Sequence, residues 1–393
     1  MNQIFVKVEN LILVVLFYIG FIRPVHWNSY VVTKNYAVLL LFVYLIANCN
    51  YLNEKYKKID MAVIFFGFWV ALSAFLNRNN VTMFNPIKSS IFFSLALIDV
   101  FVVLQIVVEK FGFSTVLRTL RYCSLVTLIL TDILAWLNIL VIYGQGLPLY
   151  LIGTKFSVMY QHLIFLSLWL FEDDYNYKSP WMIPYILLCV LMGIKVDCVT
   201  GLVGIVLFWL FWWLIKSIPK IMYTPLAALI AEGLAFAYVY AGMFLMNTPA
   251  IYNFIENRMG GAETMMARVQ IYEIALAVVS RVPILGLGYY TTYELGTAIG
   301  GFANTQNSLL DWIWQAGIPG ALMICVIMAL VFSSVKKQYR VYNLGCPGIV
   351  ALFFVYVMLG SVEILFEIPF FMIVSMVMVS SNRSKDLMGT GDT

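Results

Sequence analysis

Charge is scarce in this chain. Asp, Glu, Lys and Arg make up 11% of its 393 residues, and the net charge is only +4. The sequence has no basic and aromatic patch outside its apolar runs, so nothing indicates a nucleic-acid partner. Its six cysteines lack the spacing of a disulfide framework or a zinc site. The chain also lacks internal repeats and low-complexity linkers, which predicts a single domain over residues 1–393.

Hydrophobic residues are abundant instead. They make up 62% of the chain, with a mean hydropathy of +0.90, and a water-soluble core cannot hide so many. Apolar runs of about 18 to 20 residues recur, and each can cross a bilayer only as a helix that satisfies its own backbone. We predict an all-α integral membrane protein with about twelve transmembrane helices. These fall at about residues 6–22, 36–50, 60–76, 89–108, 122–143, 156–171, 180–196, 199–215, 222–246, 312–334, 346–361 and 364–381.

Basic residues are divided unevenly between alternate loops, and they normally collect on the cytoplasmic side of a membrane. One set of loops holds 15 of the 24 basic residues, from Lys7 to Lys385. We therefore expect both termini, with a tail at 382–393, in the cytoplasm of a multi-pass plasma-membrane protein. The other, external set holds Arg23, Lys34, Arg78, Lys88, Lys155, Lys195, Arg258, Arg268 and Arg281.

Residues 266–283 have a helical pattern but carry three charged residues. If this segment crossed the membrane, Lys336 and its basic neighbours would lie outside, against the orientation rule. We therefore expect an amphipathic helix that lies at the outer surface or folds back into the protein. It would belong to a long external catalytic loop, residues 247–311, where charge, Gly turns and amide side chains gather.

Arginines in this loop are candidate ligands for phosphate. Arg268 opens the predicted helix, and its guanidinium offers paired donors that match phosphate oxygens. Arg258 and Arg281 are weaker candidates for the same contact. Alternatively, Arg268 only snorkels to lipid headgroups, and Arg281 only ends the helix.

Two glycines and two amide residues, which follow Arg281 in the same loop, are further candidates for substrate contact. Gly286 and Gly288 flank one apolar residue, so the backbone can turn tightly and approach a ligand there; an ordinary turn is the alternative. Gln306 and Asn307 lie just before a helix that begins near Asp311. They either cap that helix or belong to a site where its N–H groups meet an anion.

Lys155 and His162 are seven residues apart near the outer end of a predicted helix, so they share one face two turns apart. Both are candidate substrate-binding residues, although a lone His on an apolar helix often only packs. The outer segments contain no carboxylates at Asp-x-Asp spacing, so we expect no metal ion and no cofactor. Candidate acids, none of them favoured, are Glu273, Glu294, Asp311, Glu363 and Glu367.

The order of these motifs resembles the O-antigen ligase and polymerase superfamily, and most closely its Wzy-type polymerases of surface polysaccharides. The similarity spans roughly residues 150–320. Two upstream pieces also look like polymerases of the Gram-positive capsule type, namely Ile152 to Phe156 with Tyr160 and His162, and Val199-Thr200-Gly201. The downstream motifs are Arg268, Pro283 with Gly286 and Gly288, Gln306-Asn307-Ser308-Leu309 and Gly317-Ile318-Pro319-Gly320.

The resemblance implies a GT-C-like, metal-independent membrane glycosyltransferase that acts outside the membrane. The growing glycan would leave undecaprenyl diphosphate by inverting transfer and join the sugar of an incoming lipid-linked repeat unit. Arg268 would neutralise the departing diphosphate, with Gln306 and Asn307 in the catalytic loop and Lys155 as a second phosphate contact. A flippase and a chain-length regulator would be partners in the same bilayer.

One departure from the family pattern matters. Ligases of this superfamily place a His where this chain has Gln306, and Gln cannot act as a general base. Ligation to a lipid A core is therefore the weaker interpretation. A flippase and an ion-coupled transporter remain as alternatives because Asp99, Asp132 and Glu232 fall near mid-membrane, where ionisable groups usually pair or line a cavity. The paired discontinuous helices of a transporter are not evident.

Overall fold

A computed structural model of the chain describes residues 2–21, 30–139, 141–144, 147–172, 178–259, 262–342 and 345–382. The predicted cytoplasmic tail, apart from Asn382, lies outside the described residues, and so does Arg23. The backbone of Arg258 is described but its side chain is not.

Helices make up most of the described chain. A π-helix, Asp99–Val103, joins the fourth helix to the fifth, and 3-10 turns lie at Cys49–Tyr51, Glu54–Tyr56 and Ser380–Asn382. A short antiparallel hairpin pairs β1 (Ile142–Gly144) with β2 (Leu147–Leu149). The α-helices are α1 (Asn2–Phe21), α2 (Tyr30–Ala47), α3 (Lys57–Leu76), α4 (Pro86–Ile98), α5 (Leu104–Phe111), α6 (Phe113–Trp136), α7 (Lys155–Glu172), α8 (Met182–Lys195), α9 (Val199–Ser217), α10 (Pro219–Met222), α11 (Pro225–Met246), α12 (Pro249–Met259), α13 (Ala262–Val279), α14 (Thr292–Gly300), α15 (Ser308–Tyr342), α16 (Pro347–Leu359) and α17 (Ile368–Val379).

The described residues form an all-α membrane protein. Six of their helices are long and apolar enough to cross a bilayer, and five further apolar helices are shorter. Every predicted apolar run overlaps a helix of the structure, because a long apolar segment in lipid must satisfy its backbone internally. The number of crossings and the likeness to GT-C enzymes stay predictions.

The centre of the bundle is formed by α16 and α17. Nearly every residue of both helices is buried, and α16 packs against α7, α9 and α11. The outer helices instead expose large apolar side chains, and Phe68, Val206 and Phe244 are 61%, 68% and 73% exposed. So much exposed apolar surface suits contact with lipid chains.

Helix α15 is broken at Gly317, whose φ of 70° and ψ of 179° are not helical. The break frees carbonyl groups in the preceding turn, and the 283–288 turn supplies their hydrogen bonds. The N–H of Leu287 donates to the Trp314 carbonyl at 2.7 Å, and that of Gly288 donates to the Gln315 carbonyl at 3.0 Å. The turn after α13 is thereby fixed to the broken helix.

Gly286 and Gly288 make this close approach possible. Their φ values are +63° and +101°, a region that side chains rarely adopt. A Cβ on Gly286 would lie 2.5 Å from the carbonyl oxygen of Trp314. The sequence indicated close approach to a ligand at these glycines, and the structure places the backbone of α15 against Gly286.

Helix α13 confirms the helix expected at 266–283, but the expected amphipathic pattern is wrong. Apolar side chains are spread around α13 rather than gathered on one face. Its packing against α11, α12 and α15 buries Val269, Tyr272, Ala275 and Val279 along one side of the helix. This arrangement corresponds to a segment folded back into the protein. Helices α12 and α14, in the same long loop, were not predicted.

One end of the bundle, here called the site end, gathers the loops at 77–85, 149–154, 196–198, 280–307 and 360–367. Glu294 of α14 accepts hydrogen bonds from the backbone N–H groups of Thr82 at 2.6 Å and Met83 at 2.8 Å. These bonds hold the pKa of Glu294 below its usual value. Glu294 thus ties the long loop to the α3–α4 connection.

Candidate functional site

Glu363 is a carboxylate at the site end that lines a cavity described below. It lies in the turn between α16 and α17, outside both helices. The first residue of α15 fixes this turn, because the Ser308 hydroxyl donates to the Glu363 carbonyl at 2.8 Å and accepts from the Leu365 N–H at 2.8 Å. The position of the carboxylate therefore depends on three helices meeting at one point.

Two cations act on this carboxylate. Burial raises the pKa of Glu363 to about 7, while Arg268 and Lys155 oppose this shift by favouring its charged form. Both residues were candidate phosphate ligands, and the structure brings them within electrostatic range of a single group. A carboxyl with a pKa near neutrality is suited to take up a proton at physiological pH.

Lys155 is held at the first turn of α7. Its Nζ donates to the Asp197 carbonyl at 2.6 Å and lies 3.6 Å from the Asp197 carboxylate. Asp197 adopts a left-handed conformation with φ of 53° in the turn between α8 and α9. Nearby, Gly201 lets α9 approach α7, because a Cβ there would collide with Met159. The Lys155 side chain remains 32% exposed.

Arg268 lies on α13, half-buried, one turn before Tyr272. Tyr272 is buried, and its hydroxyl lies 3.3 Å from the Gln306 carbonyl and 3.4 Å from the Ser361 carbonyl. Residues four apart on a helix share a face, so the anchoring of Tyr272 turns Arg268 toward the same region. Arg268 is close enough to Tyr272 to lower its pKa, although burial raises that pKa overall.

A cavity of about 290 Å³, here called cavity 1, opens beside Glu363. Its lining includes Ser157, Tyr160 and Tyr356 as well as Glu363 and Glu367. The hydroxyl of Tyr160 is buried and has no hydrogen-bond partner among the described residues. Because an unpaired buried hydroxyl is costly, a hydrogen bond from a ligand that reached this group would stabilise it.

The amide pair has structural roles. Asn307 is 1% exposed, its Oδ1 accepts the N–H of Leu310 at 3.0 Å, and its Nδ2 donates to the Ser361 carbonyl at 3.2 Å. Asn307 therefore caps α15, as the alternative interpretation of the sequence held. Gln306 has a left-handed φ of 54°, and its side chain donates to Asn304 Oδ1 at 2.8 Å. Direct substrate contact by either amide stays a prediction.

His162 lies away from cavity 1. It is 1% exposed, with Nε2 at 3.2 Å from Asp132 Oδ1 and Nδ1 at 3.3 Å from the Tyr185 hydroxyl. The sulfur of Cys189 is 3.6 Å from the same Nδ1. This cluster joins α6, α7 and α8 inside the bundle. Among the explanations considered for His162, hydrogen-bonded packing has the stronger structural support.

The other two candidate arginines of the long loop are not placed at Glu363 or cavity 1 by any described contact. Arg281 is exposed in the turn that follows α13, where its N–H donates to the Val278 carbonyl at 3.1 Å. This position fits a residue that ends a helix. Arg258 belongs to α12, and its side chain is outside the described part of the structure.

Glu363 was one of five candidate acids that the sequence did not rank. Its place in the candidate site depends on α7, α13 and the α16–α17 turn, which are far apart in the chain but lie close together in the fold. No local sequence pattern around Glu363 predicts that proximity. The one available signal is its position between two apolar runs, which predicts a carboxylate at a membrane surface.

The comparison with known families adds an independent finding. Residues 185–325 match the family model described as O-antigen ligase. This segment contains Arg268, Gln306 and Asn307, but neither Lys155 nor Glu363. No curated protein matches the chain significantly. The family covers ligases and polymerases of surface polysaccharides, which are membrane glycosyltransferase-like enzymes. Over residues 185–325 the chain is therefore similar to this family, which supports the resemblance to the O-antigen ligase and polymerase superfamily.

Proposed function

We propose that this protein polymerises lipid-linked oligosaccharide repeat units into a surface polysaccharide at the outer face of the plasma membrane. The growing chain leaves undecaprenyl diphosphate and is transferred, with inversion, to a sugar hydroxyl of an incoming unit. The observation that carries this proposal is that Glu363 lines cavity 1 and lies within electrostatic range of both Arg268 and Lys155.

The two cations fit the leaving group. When the bond between the anomeric carbon and the diphosphate oxygen breaks, its electron pair stays on the diphosphate, which gains negative charge. A guanidinium and an ammonium near that oxygen stabilise the charge as it develops. No metal ion is required for this step, and the described residues contain no group of three His, Cys, Asp or Glu side chains suited to one.

Glu363 is suited to act as the general base for the acceptor hydroxyl. The acceptor oxygen forms a bond to the anomeric carbon, and its proton passes to the carboxylate of Glu363. With a pKa of about 7, Glu363 is ionised often enough to accept this proton and basic enough to favour the transfer. Gln306 offers no base at the place where ligases of this superfamily have a His.

We prefer polymerisation over ligation because Gln306 replaces the His of the ligases, although the matching family model is described as O-antigen ligase. A flippase would need polar groups along a path through the bundle. Asp132, one of the mid-membrane acids that kept this alternative open, pairs with His162 instead. For an ion-coupled transporter, too, Asp132 is accounted for by this pair, whereas Asp99 and Glu232 have buried carboxylate oxygens without a hydrogen-bond partner among the described residues.

The test replaces Arg268 in cells that lack the native chain. Arg268→Ala should insert normally, abolish long polysaccharide and leave single lipid-linked repeats on the outer face of the membrane. Arg78→Ala is the matched control, since Arg78 is another external arginine at the site end and its guanidinium contacts Phe75. The control should give normal chain lengths.

Three outcomes would contradict the proposal. Normal long chains with Arg268→Ala would remove the assigned role of the guanidinium. Repeats trapped on the cytoplasmic face would favour a flippase. Long, finished chains that fail only to reach a lipid A core would favour a ligase.

A further inference from the structure

A second and larger cavity, here called cavity 2, lies at the site end beside cavity 1. Its volume is about 840 Å³, about three times the 290 Å³ of cavity 1. Ile364, Glu367 and Pro369 line both cavities. The segment just after Glu363 is therefore a wall common to both cavities, and cavity 2 adjoins the cavity that Glu363 lines.

Aromatic rings dominate one side of cavity 2. Tyr289 stacks on Trp312, with ring centroids 5.9 Å apart and planes 25° apart. Phe84 meets Tyr290 edge-on at 5.1 Å and Tyr293 at 6.2 Å. The rims of this group are open, since Tyr290 and Tyr293 are 52% and 41% exposed. Aromatic faces with polar tips suit ligands that have both apolar faces and hydroxyl groups, as sugars do.

Fixed polar groups lie among these rings. Asp311 and Gln315 line cavity 2, and the amide nitrogen of Gln315 donates to the Asp311 carboxylate. The amide oxygen of Gln315 accepts the N–H of Tyr290 at 2.7 Å. Asn85 and Asn304 add further amide groups to the lining. A few oriented polar groups in an aromatic pocket of this size are typical of small-molecule sites.

Two lysines, Lys34 and Lys88, complete the lining. They lie near the starts of α2 and α4, where the chain begins a hydrophobic helix. They are therefore a second pair of cations at the site end, in addition to Lys155 and Arg268. An ammonium binds phosphate as a point charge, so this pair suits a second diphosphate.

We propose that cavity 2 binds the acceptor, the incoming lipid-linked repeat unit, with its sugars on the aromatic rings and its diphosphate near Lys34 and Lys88. This inference rests on the proposed function. Inversion requires the acceptor to approach the anomeric carbon from the face opposite the departing diphosphate. Cavity 2 suits that approach, because it adjoins cavity 1 through Ile364, Glu367 and Pro369, and Glu363 lines cavity 1.

The test uses the purified full chain in lipid vesicles, a lipid-linked donor, and an acceptor that cannot act as a donor. A repeat unit bearing a methylene phosphonate at its anomeric carbon meets this need. Tyr293→Ala should raise the KM for this acceptor roughly three- to tenfold, while the KM for the donor and kcat at saturating acceptor stay unchanged. Tyr240→Ala, an exposed tyrosine on α11 outside both cavities, should change neither KM.

Lys88→Ala separates recognition of the sugar from recognition of the phosphate. It should raise the KM of the lipid phosphonate acceptor, and leave unchanged that of the lipid-free oligosaccharide. Lys195→Ala is its control, since Lys195 contacts Asn138 at the same end.

The outcomes also distinguish the inference from the proposed function. If wild-type protein forms no product, polymerisation itself is wrong. If wild-type protein forms product while Tyr293→Ala and Lys88→Ala behave as wild type, only the assignment of cavity 2 fails. A rise in donor KM instead of acceptor KM would make cavity 2 the donor site and overturn the inference.

Discussion

Cavity 1 and cavity 2 lie side by side at the site end, yet their linings differ. Cavity 1 is small, adjoins Glu363, and lies within the electrostatic range of two cations. Cavity 2 is broad, and its lining adds Lys34 and Lys88 to its rings and amides. The difference teaches that bond breaking needs a base with charges that act on it, whereas holding an oligosaccharide and its diphosphate needs area. Changes in cavity 1 should therefore affect kcat, and changes in cavity 2 should affect the acceptor KM.

The largest effect should come from Glu363→Gln, which keeps the shape of the side chain but removes the base. Loss of a general base costs about 10² to 10⁴ in kcat, and the acceptor KM should stay close to wild type. Rates from single-turnover polymerisation in vesicles check this prediction. A kcat within twofold of wild type would show that Glu363 takes no proton.

The pH dependence of wild-type turnover tests the same group. A base must be ionised, so kcat/KM should be flat above the pKa of about 7 and fall about tenfold per pH unit below it. Glu363→Gln should lose this acid limb. An acid limb that persists unchanged in the variant would assign the titration to another group.

Lys155→Ala should produce a smaller change with a distinctive direction. Lys155 lowers the pKa of Glu363, so its removal should raise that pKa and move the acid limb to higher pH. Lys195→Ala removes another cation from the same end and should leave the limb in place. The measurement is the pH profile of kcat/KM for both variants, and a limb at the wild-type position in Lys155→Ala would contradict the assigned contact.

The sequence predicts those features of the site that depend on neighbouring residues in the chain. It does not predict those that depend on residues brought together from distant helices. The apolar runs predict the helices because membrane insertion is decided segment by segment. Arg268 is proposed from the local order of motifs along the chain. Glu363 is only one of five unranked acids in the sequence, since the role proposed for it depends on Lys155 and Arg268, which lie on distant helices.

His162 shows a second limit. The seven-residue spacing predicts that Lys155 and His162 share one face of a helix, and in the structure Lys155 contacts Asp197 after α8 while His162 contacts Tyr185 on α8. Seven residues also advance about 10 Å along a helix. That distance takes His162 from the loop region into the bundle, and the sequence alone does not show where the site ends.

The smallest expected effect, and the sharpest comparison between the cavities, concerns Tyr160. Its hydroxyl has no partner among the described residues, and a buried hydroxyl left unpaired costs about 1–3 kcal/mol. Tyr160→Phe should therefore be at least as stable as wild type. If the hydroxyl donates to the reacting sugar, turnover should fall by about three- to tenfold, because a hydrogen bond to an uncharged group contributes about 0.5–1.5 kcal/mol. Thermal unfolding in detergent and single-turnover rates measure the two effects. A variant with unchanged turnover would show that cavity 1 offers no contact through Tyr160, and the sugar would then be held by Glu363 and cavity 2.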